Sequence, residues 1–293
     1  MPYASSRGVR LYYEEAGKGV PIVFVHEFSG DLRSWEPQMR HFSRRYRCVA
    51  FNARGYPPSE VPASPSKYAH AIATDDIVSV MRRLGIAKAH IIGCSMGAYA
   101  TLQFGLRYPR RALSLTAIGA GAGSDPAKRA QFLRNRAAME RLFREQGMKA
   151  AASILQRAPH RVQLEIKNPR GAREFWKHFV EGSALGHALT LRGIQSRRPT
   201  LYSLGDRFAR MKVPNHIVVG DEDDGALGPG LFIKRVCPAA RLTVVRATGH
   251  LVSVEEPDLF NRITEDFLNL VDSGRWRPRD PRSLNLSTMA RKT

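Results

Sequence analysis

The sequence predicts an α/β fold in which a mostly parallel central sheet is flanked by helices. Short, nearly continuous apolar runs such as Val20–Val25 and Tyr46–Phe51 have the composition of parallel strands that are buried on both faces. Segments with the helical spacing of apolar residues separate such runs, and this alternation is typical of βαβ units. The chain has 293 residues, of which 43% are hydrophobic, so it can bury a substantial core. We therefore expect one medium-sized domain that carries an insertion.

The first third of the chain predicts strands and helices that lead into and out of a Gly-rich turn. Residues Val9–Glu15 have the character of an edge strand. Residues Ala71–Leu84 carry apolar side chains at helical spacing and are followed by Gly85, so they predict an amphipathic helix. Ala89–Ile92 predicts the strand that enters the turn, and Ala98–Tyr108 predicts the helix that leaves it.

Beyond this turn the pattern returns to a strand and then becomes helical. Ala112–Ile118 predicts the strand, and the sequence from Gly119 to about Met211 is rich in arginine, with predicted helices at Lys128–Gln146 and Arg173–Val180. The remaining predicted elements are a strand at Val213–Val219, a helix around Leu231–Val236, a strand at Arg241–Val245 and a helix at Pro257–Leu270.

These elements predict a core that is interrupted once. We expect residues 1–123 and 212–272 to form the two parts of the core, and residues 124–211 to form a helical cap over the carboxyl edge of the sheet. Residues 273–293 are rich in Arg, Pro and Ser, which predicts an extended or disordered basic tail.

The Gly-rich turn, Gly93-Cys94-Ser95-Met96-Gly97, is the most informative motif in the chain. A strand that runs into a G-x-S-x-G turn and then into a helix presents a serine nucleophile at the edge of a sheet. The turn is so tight that side chains at its two glycines would collide with neighbouring backbone. The motif therefore predicts that Ser95 is a nucleophile, which needs a base and an acid within reach.

Candidates for that acid and base follow two later predicted strands. The strand at Val213–Val219 ends in Gly220-Asp221-Glu222-Asp223-Asp224, and the next strand is followed by Gly249-His250. An open α/β sheet has its binding crevice at these strand ends. An imidazole can take the serine proton, and a carboxylate can hold the imidazole in the correct tautomer.

With these residues the chain resembles the α/β-hydrolase superfamily over roughly Val9 to Leu270, with the chain order serine, acid, histidine. The resemblance implies that the acid is Asp223, three residues after the glycine that closes its strand, with Asp221 and Asp224 as the alternatives. It also implies that His250 is the base, in the family's pattern of Gly-His followed by E-x-P.

The resemblance further implies an oxyanion hole made by the backbone N–H groups of Met96 and Phe28. Phe28 lies in the loop His26-Glu27-Phe28-Ser29-Gly30, where the family's usual His-Gly is replaced by His-Glu. We expect Glu27 to point into solvent; the alternative is a position near the pocket. His26 is expected to hold this loop in place, and Asn52–Ser59 resembles a structural loop of the family.

The resemblance implies a metal-free serine hydrolase that acts through an acyl-enzyme on a carboxylic ester or lactone, with no cofactor. Two alternatives stay open: a hydrolase of C–C bonds in meta-cleavage-type diketones, and a receptor that binds a small ligand with little turnover. Ser95 argues against dehalogenases and epoxide hydrolases, which normally use an aspartate nucleophile. Phe175, Trp176 and Phe179 in the predicted cap either line a substrate pocket or pack in its core.

The formal charge of +20 is concentrated in two segments, residues 124–205 and 273–293. Neither segment has a nucleic-acid-binding signature, so we expect the charge to serve solubility or the steering of anionic substrates, and we expect no nucleic-acid partner. The three cysteines, Cys48, Cys94 and Cys237, are far apart and are expected to be free thiols. No segment is apolar enough to span a membrane, and we expect a cytoplasmic protein; the oligomeric state is left open.

Overall fold

The computed structural model describes residues 2–284, in which one sheet of eight strands is ordered β1-β2-β4-β3-β5-β6-β7-β8. The pairs among β3 to β8 are parallel, whereas β2 pairs in the antiparallel sense with both β1 and β4. This mostly parallel sheet confirms the predicted fold class. The strands are β1 (Tyr3–Ser6), β2 (Val9–Ala16), β3 (Val20–Val25), β4 (Tyr46–Phe51), β5 (Ala89–Cys94), β6 (Ala112–Ile118), β7 (Asn215–Gly220) and β8 (Ala240–Val245).

Helices cover both faces of the sheet. The helices are α1 (Glu36–Phe42), α2 (His70–Arg83), α3 (Met96–Arg107), α4 (Arg129–Leu155), α5 (Val162–Lys167), α6 (Pro169–Val180), α7 (Ala184–Thr190), α8 (Gly205–Ala209), α9 (Asp224–Val236), α10 (Val252–Glu255) and α11 (Pro257–Asp272). Helices α2, α3 and α9 contribute to the core on one face, and α1, α10 and α11 to the core on the other. No helix among residues 2–284 has the length and apolarity that crossing a bilayer requires.

Burial on both faces explains the continuous apolar runs. Along β3, Val23 packs in the core of one face, whereas its neighbours Ile22 and Phe24 pack in the core of the other. Phe24 lies against Trp35, with ring centroids 5.1 Å apart. A strand with one face in water would alternate apolar and polar residues instead.

The edge of the sheet differs from the sequence prediction. Val9–Glu15 was expected to be the edge strand, but β2 pairs with β4 on one side and with β1 on the other. The edge strand is therefore β1. It has only four residues, Tyr-Ala-Ser-Ser, and contains no apolar run that would distinguish it from a loop.

The chain between β6 and β7 is mostly helical, and we call residues 124–211 the cap. Its first helix, α4, starts near the predicted Lys128 but continues to Leu155 through a break at Gly147, whose φ is +75°. Helix α7 packs against α4, and Gly186 in α7 lies against the backbone of Gly55 in the core. The cap thus packs on the core at the edge where the loop after β4 lies.

The last described residues contact the core. The ring of Trp276 lies 5.1 Å from that of Phe267 and beneath the guanidinium group of Arg241. The N–H of Arg279 donates to the carbonyl of Pro238 at 2.8 Å. Trp276 and Arg279 therefore hold this segment against the core, although most other residues of 273–280 are exposed. Residues 285–293 of the predicted tail lie outside the described residues.

Candidate active site

Ser95 lies in a strained turn between β5 and α3. Its φ of +54° and ψ of −108° are values that a residue with a side chain rarely adopts. A Cβ atom on Gly97 would collide with the carbonyl of Val25, and one on Gly93 would collide with the backbone of Gly97. Both glycines of the motif are therefore required by close backbone contacts, as the sequence predicted.

Asp223 and His250 come together at the carboxyl edge of the sheet. Asp223 follows β7, His250 follows β8, and Nδ1 of His250 lies 2.6 Å from Oδ2 of Asp223. The side chain of His250 is 7% exposed and that of Asp223 is 6% exposed. Burial by itself would raise the pKa of Asp223, but the charge of His250 and this hydrogen bond outweigh burial and lower the pKa below its ordinary value. The carboxylate is therefore charged at neutral pH.

The two alternative acids lie elsewhere. Asp221 is exposed and accepts the backbone N–H of Thr248 at 3.1 Å, so its carboxylate holds the loop after β8. Asp224 is exposed at the start of α9. Of the three aspartates, only Asp223 has a side-chain contact with His250 among the described residues.

The backbone N–H groups of Met96 and Phe28 donate no hydrogen bond within their own segments. Met96 is the first residue of α3, so its N–H has no acceptor inside the helix. Among residues 2–284, no acceptor takes the N–H of Phe28, whereas its carbonyl accepts the hydroxyl of Tyr56 at 2.9 Å. Unpaired N–H groups of this kind are what an oxyanion hole requires.

The position of Glu27 contradicts the sequence prediction. Glu27 was expected to point into solvent, but it is 2% exposed. Its carboxylate accepts the N–H of Ser29 at 2.7 Å and lies 3.2 Å from Nη2 of Arg161 in the cap. A buried carboxylate requires a partner, and the partner here is distant in sequence, so local sequence could not reveal it.

The other predicted neighbours of the site have structural contacts. Nδ1 of His26 donates to the carbonyl of Glu27 at 2.7 Å, and its Nε2 accepts the N–H of Ala53 at 3.0 Å. His26 thus connects the loop after β3 to the loop after β4. Cys94 is buried, and burial, together with the negative charge of Glu27, raises the pKa of its thiol well above the ordinary value. The thiol stays protonated, which makes it a poor nucleophile.

His250 is surrounded by three residues that the sequence motifs do not assign to the site: Glu255, Gly119 and His160. The Glu255 carboxylate accepts the N–H groups of Gly249 and Leu251, at 2.7 and 2.9 Å, and so fixes the loop on both sides of His250. The acidic residue of the E-x-P pattern was the available signal for this contact. A Cβ atom on Gly119 would lie 3.1 Å from Nδ1 of His250.

His160 belongs to the cap, in the short 3₁₀ turn Pro159–Arg161. Its carbonyl accepts the backbone N–H of His250 at 2.9 Å, and the two imidazole centroids are 5.1 Å apart. Burial, together with the closeness of His250 and Arg161, lowers the pKa of His160 to about 3. His160 is therefore neutral at neutral pH, and no local motif marked it.

The three cap aromatics divide between two clusters. Phe175 is buried in the core that includes α11, and Phe179 is buried against Phe143 and His187. Trp176 is half-buried between them. Phe28 and Met96 belong to the same cluster as Phe179, so this part of the cap contacts the candidate oxyanion hole.

Within residues 2–284, no three His, Cys, Asp or Glu side chains are close enough together to hold a metal ion. The arrangement that these residues do form is a serine in a strained turn, a histidine bonded to a buried carboxylate and two free N–H groups. Such a set can activate a hydroxyl and stabilise a developing oxyanion.

Comparisons with known proteins identify the family and the fold. The model of the alpha/beta hydrolase fold family matches residues 20–257. Over 91% of its length the chain is 25% identical to a putative 2-succinyl-6-hydroxy-2,4-cyclohexadiene-1-carboxylate synthase of Bacillus subtilis (strain 168), 97% of which is matched.

Two solved structures superpose on nearly the whole chain. The enol-lactonase from Burkholderia xenovorans LB400 has a TM-score of 0.79 and 24% identity, and the match covers 92% of this chain and 100% of that one. A meta-cleavage product hydrolase from Pseudomonas fluorescens IP01 has a TM-score of 0.71 and 21% identity, with 91% and 97% covered. From the match of the family model, which spans most of the chain, we conclude that this protein belongs to the alpha/beta hydrolase fold family.

Proposed function

We propose that the protein is a serine hydrolase that acts through an acyl-enzyme on a carboxylic ester or lactone of a small molecule. The observation that carries this proposal is the buried 2.6 Å contact between His250 and Asp223, at the same edge of the sheet as the strained turn of Ser95. A serine hydroxyl is a weak nucleophile at neutral pH, and a base oriented by a carboxylate is what it needs.

In the first half-reaction, Nε2 of His250 accepts the proton of Ser95 while the serine oxygen attacks the substrate carbonyl carbon. The N–H groups of Phe28 and Met96 bind the oxyanion that forms. Asp223 keeps the proton on Nδ1 and stabilises the imidazolium. His250 then gives its proton to the leaving alkoxide as the bond between the acyl carbon and that oxygen breaks.

In the second half-reaction, water takes the place of the alcohol. His250 accepts a proton from water, whose oxygen attacks the acyl carbon, and the same N–H groups stabilise the second oxyanion. Collapse of this intermediate returns the proton to Ser95 and releases the carboxylic acid. With a lactone, the alcohol and the acid are parts of one product molecule.

We assign the cap a role in forming the substrate pocket. Phe28 and Met96 pack in one apolar cluster with Phe143 and Phe179 of the cap. An apolar wall beside the reacting carbonyl favours a substrate with an apolar acyl or alcohol group, and it excludes water, which strengthens the hydrogen bonds to the oxyanion.

The proposal is tested with a panel of esters, lactones and thioesters of graded acyl length. We expect multiple turnovers by the wild-type protein and loss of nearly all turnover in Ser95→Ala. Cys94→Ala is the matched control, because it removes the neighbouring thiol and leaves the serine. Turnover that survives in Ser95→Ala, or that depends on Cys94, overturns the proposal.

Two further outcomes separate the alternatives. A vinylogous 1,5-diketone in the same panel detects C–C bond hydrolysis. We include it because the protein shares its fold with the meta-cleavage product hydrolase. Saturable binding of panel members with no release of product indicates a receptor instead of an enzyme, and it overturns the proposed activity.

A further inference from the structure

Glu27 and Arg161 form a buried ion pair between the loop after β3 and the cap. The guanidinium nitrogens of Arg161 lie 3.2 and 3.4 Å from the two carboxylate oxygens of Glu27. The side chains of Arg161 and Glu27 are 6% and 2% exposed. In the loop motif as the resemblance describes it, position 27 is usually glycine, so the carboxylate of this pair departs from that motif.

The pair holds the loop on both sides of Phe28. Glu27 precedes Phe28, and its carboxylate accepts the N–H of Ser29, the residue that follows, at 2.7 Å. Arg161 reaches the same segment a second time, through a 3.3 Å contact with the hydroxyl of Ser29. The peptide that carries the Phe28 N–H is therefore fixed between two anchored residues.

We propose that Arg161 is a positioning residue for catalysis, which neutralises the Glu27 carboxylate beside the oxyanion hole and so lets that carboxylate shape the loop without opposing the oxyanion. This inference rests on the proposed function. The core supplies the carboxylate and the cap supplies its counter-charge, so the position of the cap on the core affects catalysis.

An unpaired Glu27 carboxylate would repel the oxyanion, because both groups are negatively charged. The reaction places a negative charge at the N–H of Phe28, next in sequence to a residue that already carries one. In a buried site, two such charges repel more strongly than in water, and their repulsion raises the energy of the transition state. The charge of Glu27 also acts at the turn itself, since it contributes to the raised pKa of the Cys94 thiol.

The cap segment that carries Arg161 contacts the histidine loop as well. The carbonyl of His160 accepts the N–H of His250 at 2.9 Å, one residue before Arg161. The guanidinium group of Arg161 lies over the rings of Phe175 and Trp176, at 5.6 and 5.7 Å from their centroids. One short turn of the cap, Pro159–Arg161, thus contacts both the oxyanion loop and the base.

A role in stability alone is a poor explanation for this pair. Buried ion pairs often stabilise a fold no better than apolar side chains of similar volume, because both charges must be desolvated. Glycine at position 27 would need no counter-charge. The pair is explained if the carboxylate is needed to hold Ser29 and the cation is needed to cancel the charge of that carboxylate.

The test is a double-mutant cycle of Arg161→Gln, Glu27→Gln and Glu27→Gln/Arg161→Gln, assayed with a neutral ester that the wild-type protein hydrolyses. Arg161→Gln leaves a lone carboxylate, and we expect kcat to fall by about ten- to a hundredfold with little change in KM. Glu27→Gln keeps an acceptor for Ser29 and removes the negative charge, so its loss of kcat should be smaller than that of Arg161→Gln. The double variant should regain most of the kcat that Arg161→Gln loses.

A boronic acid inhibitor, which forms an anionic tetrahedral adduct with an active serine, provides the second measurement. Its inhibition constant should rise in Arg161→Gln by the same factor as kcat/KM falls, and it should recover in the double variant. Glu181→Gln is the matched control, because it removes another ion pair between core and cap, with Arg33 at 2.7 Å, and this pair is exposed, whereas that of Glu27 and Arg161 is buried. It should change neither quantity.

A purely structural bridge predicts the opposite sign for the double variant, which would then be as slow as Arg161→Gln or slower. That result, or an unchanged kcat in folded Arg161→Gln, overturns the inference. If Arg161→Gln does not fold, as judged by circular dichroism, Arg161→Lys carries the test: it keeps the cation and should keep most of kcat, and a folded but slow lysine variant contradicts the inference. Absence of turnover that depends on Ser95 in the wild-type protein instead overturns the proposed function itself, and this inference with it.

Discussion

Nδ1 of His250 and Oδ2 of Asp223 are 2.6 Å apart, and both side chains are buried. The two residues follow neighbouring parallel strands, β7 and β8, so their proximity is a consequence of sheet topology. The contact fixes the tautomer of His250, because the nitrogen that donates to the carboxylate must carry the proton. The other nitrogen, Nε2, is then the one available to act as a base.

Replacement of Asp223 should therefore damage catalysis without removing the imidazole. In Asp223→Asn the amide can turn its NH2 group toward Nδ1, which places the histidine proton on the wrong nitrogen. We expect kcat to fall by about 10³- to 10⁴-fold with little change in KM. Steady-state kinetics with the best ester of the panel measures this, and Asp224→Asn, one residue further and exposed, is the control. Equal losses in the two variants would contradict the assignment of the acid.

Gly119 provides a second test of the site, because it leaves no room next to the histidine. Its φ is +62°, and a Cβ atom there would lie 3.1 Å from Nδ1 of His250 and 3.3 Å from Oδ2 of Asp223. We expect Gly119→Ala to displace the imidazole and to lower kcat by about ten- to a hundredfold.

Gly85→Ala is the matched control for that substitution. Gly85 has a similar φ of +68° but nothing within 4 Å of the added carbon. Both variants should lose about 1 kcal/mol of unfolding free energy from backbone strain, as measured by urea denaturation. Only the variant at Gly119 should lose activity. If the losses of activity are equal, they come from destabilisation and not from contact with the histidine.

The sequence was sufficient to predict the residues that sheet topology brings together. Asp223 and His250 each follow a strand, and parallel strands bring their carboxyl ends to one edge, so chain order and strand ends predicted their contact. The same reasoning places Ser95 at that edge, and its role as their nucleophile stays a prediction. The pairing of Glu27 with Arg161 was not predictable in this way. It joins residues 134 positions apart and depends on how the cap docks, which no local pattern encodes.

One helix of the fold was incompletely predicted, also for a tertiary reason. Helix α9 begins at Asp224, well before the predicted Leu231, although its first half contains Gly225, Gly228, Pro229 and Gly230. Glycines and proline disfavour a helix locally. The structure gives a tertiary reason at Gly230, where a Cβ atom would lie 3.0 Å from a methyl group of Val219 in β7. Close packing on the sheet overrides the local preference.

The loop after β4 is expected to contribute to stability and not to catalysis. Arg54 donates to both carboxylate oxygens of Asp76, at 2.8 and 2.6 Å, and the side chains are 0% and 2% exposed. Arg54→Met would leave that carboxylate buried without its partner, and we expect a loss of about 3–5 kcal/mol of unfolding free energy in urea denaturation. The control is Arg10→Met, which breaks an exposed pair with Glu60 and should cost far less unfolding free energy, because solvent screens that pair. A small loss in both variants would show that Asp76 is hydrated or protonated when unpaired.

Stability should fall in mild acid, partly because of a buried histidine outside the site. His216 in β7 is buried, its Nε2 bonds the hydroxyl of Thr243 at 2.9 Å, and burial lowers its pKa to about 4. Between pH 4 and its ordinary value of about 6.5, the unfolded chain binds a proton there that the folded protein does not. The unfolding free energy therefore rises with pH in this window, and the contribution of His216 is complete above it and is lost as the pH falls toward 4.

His216→Gln removes this titration and keeps a side chain that can bond Thr243. Relative to this variant, the wild-type protein should lose up to about 3 kcal/mol of unfolding free energy between pH 7 and pH 4, as measured by urea denaturation across that range. Thr243→Val removes the same hydrogen bond but leaves the imidazole, so its stability curve should stay roughly parallel to that of the wild-type protein. Parallel curves for His216→Gln and the wild-type protein would show that the imidazole becomes protonated in the folded state at little cost, for which the strand around it would have to open to water.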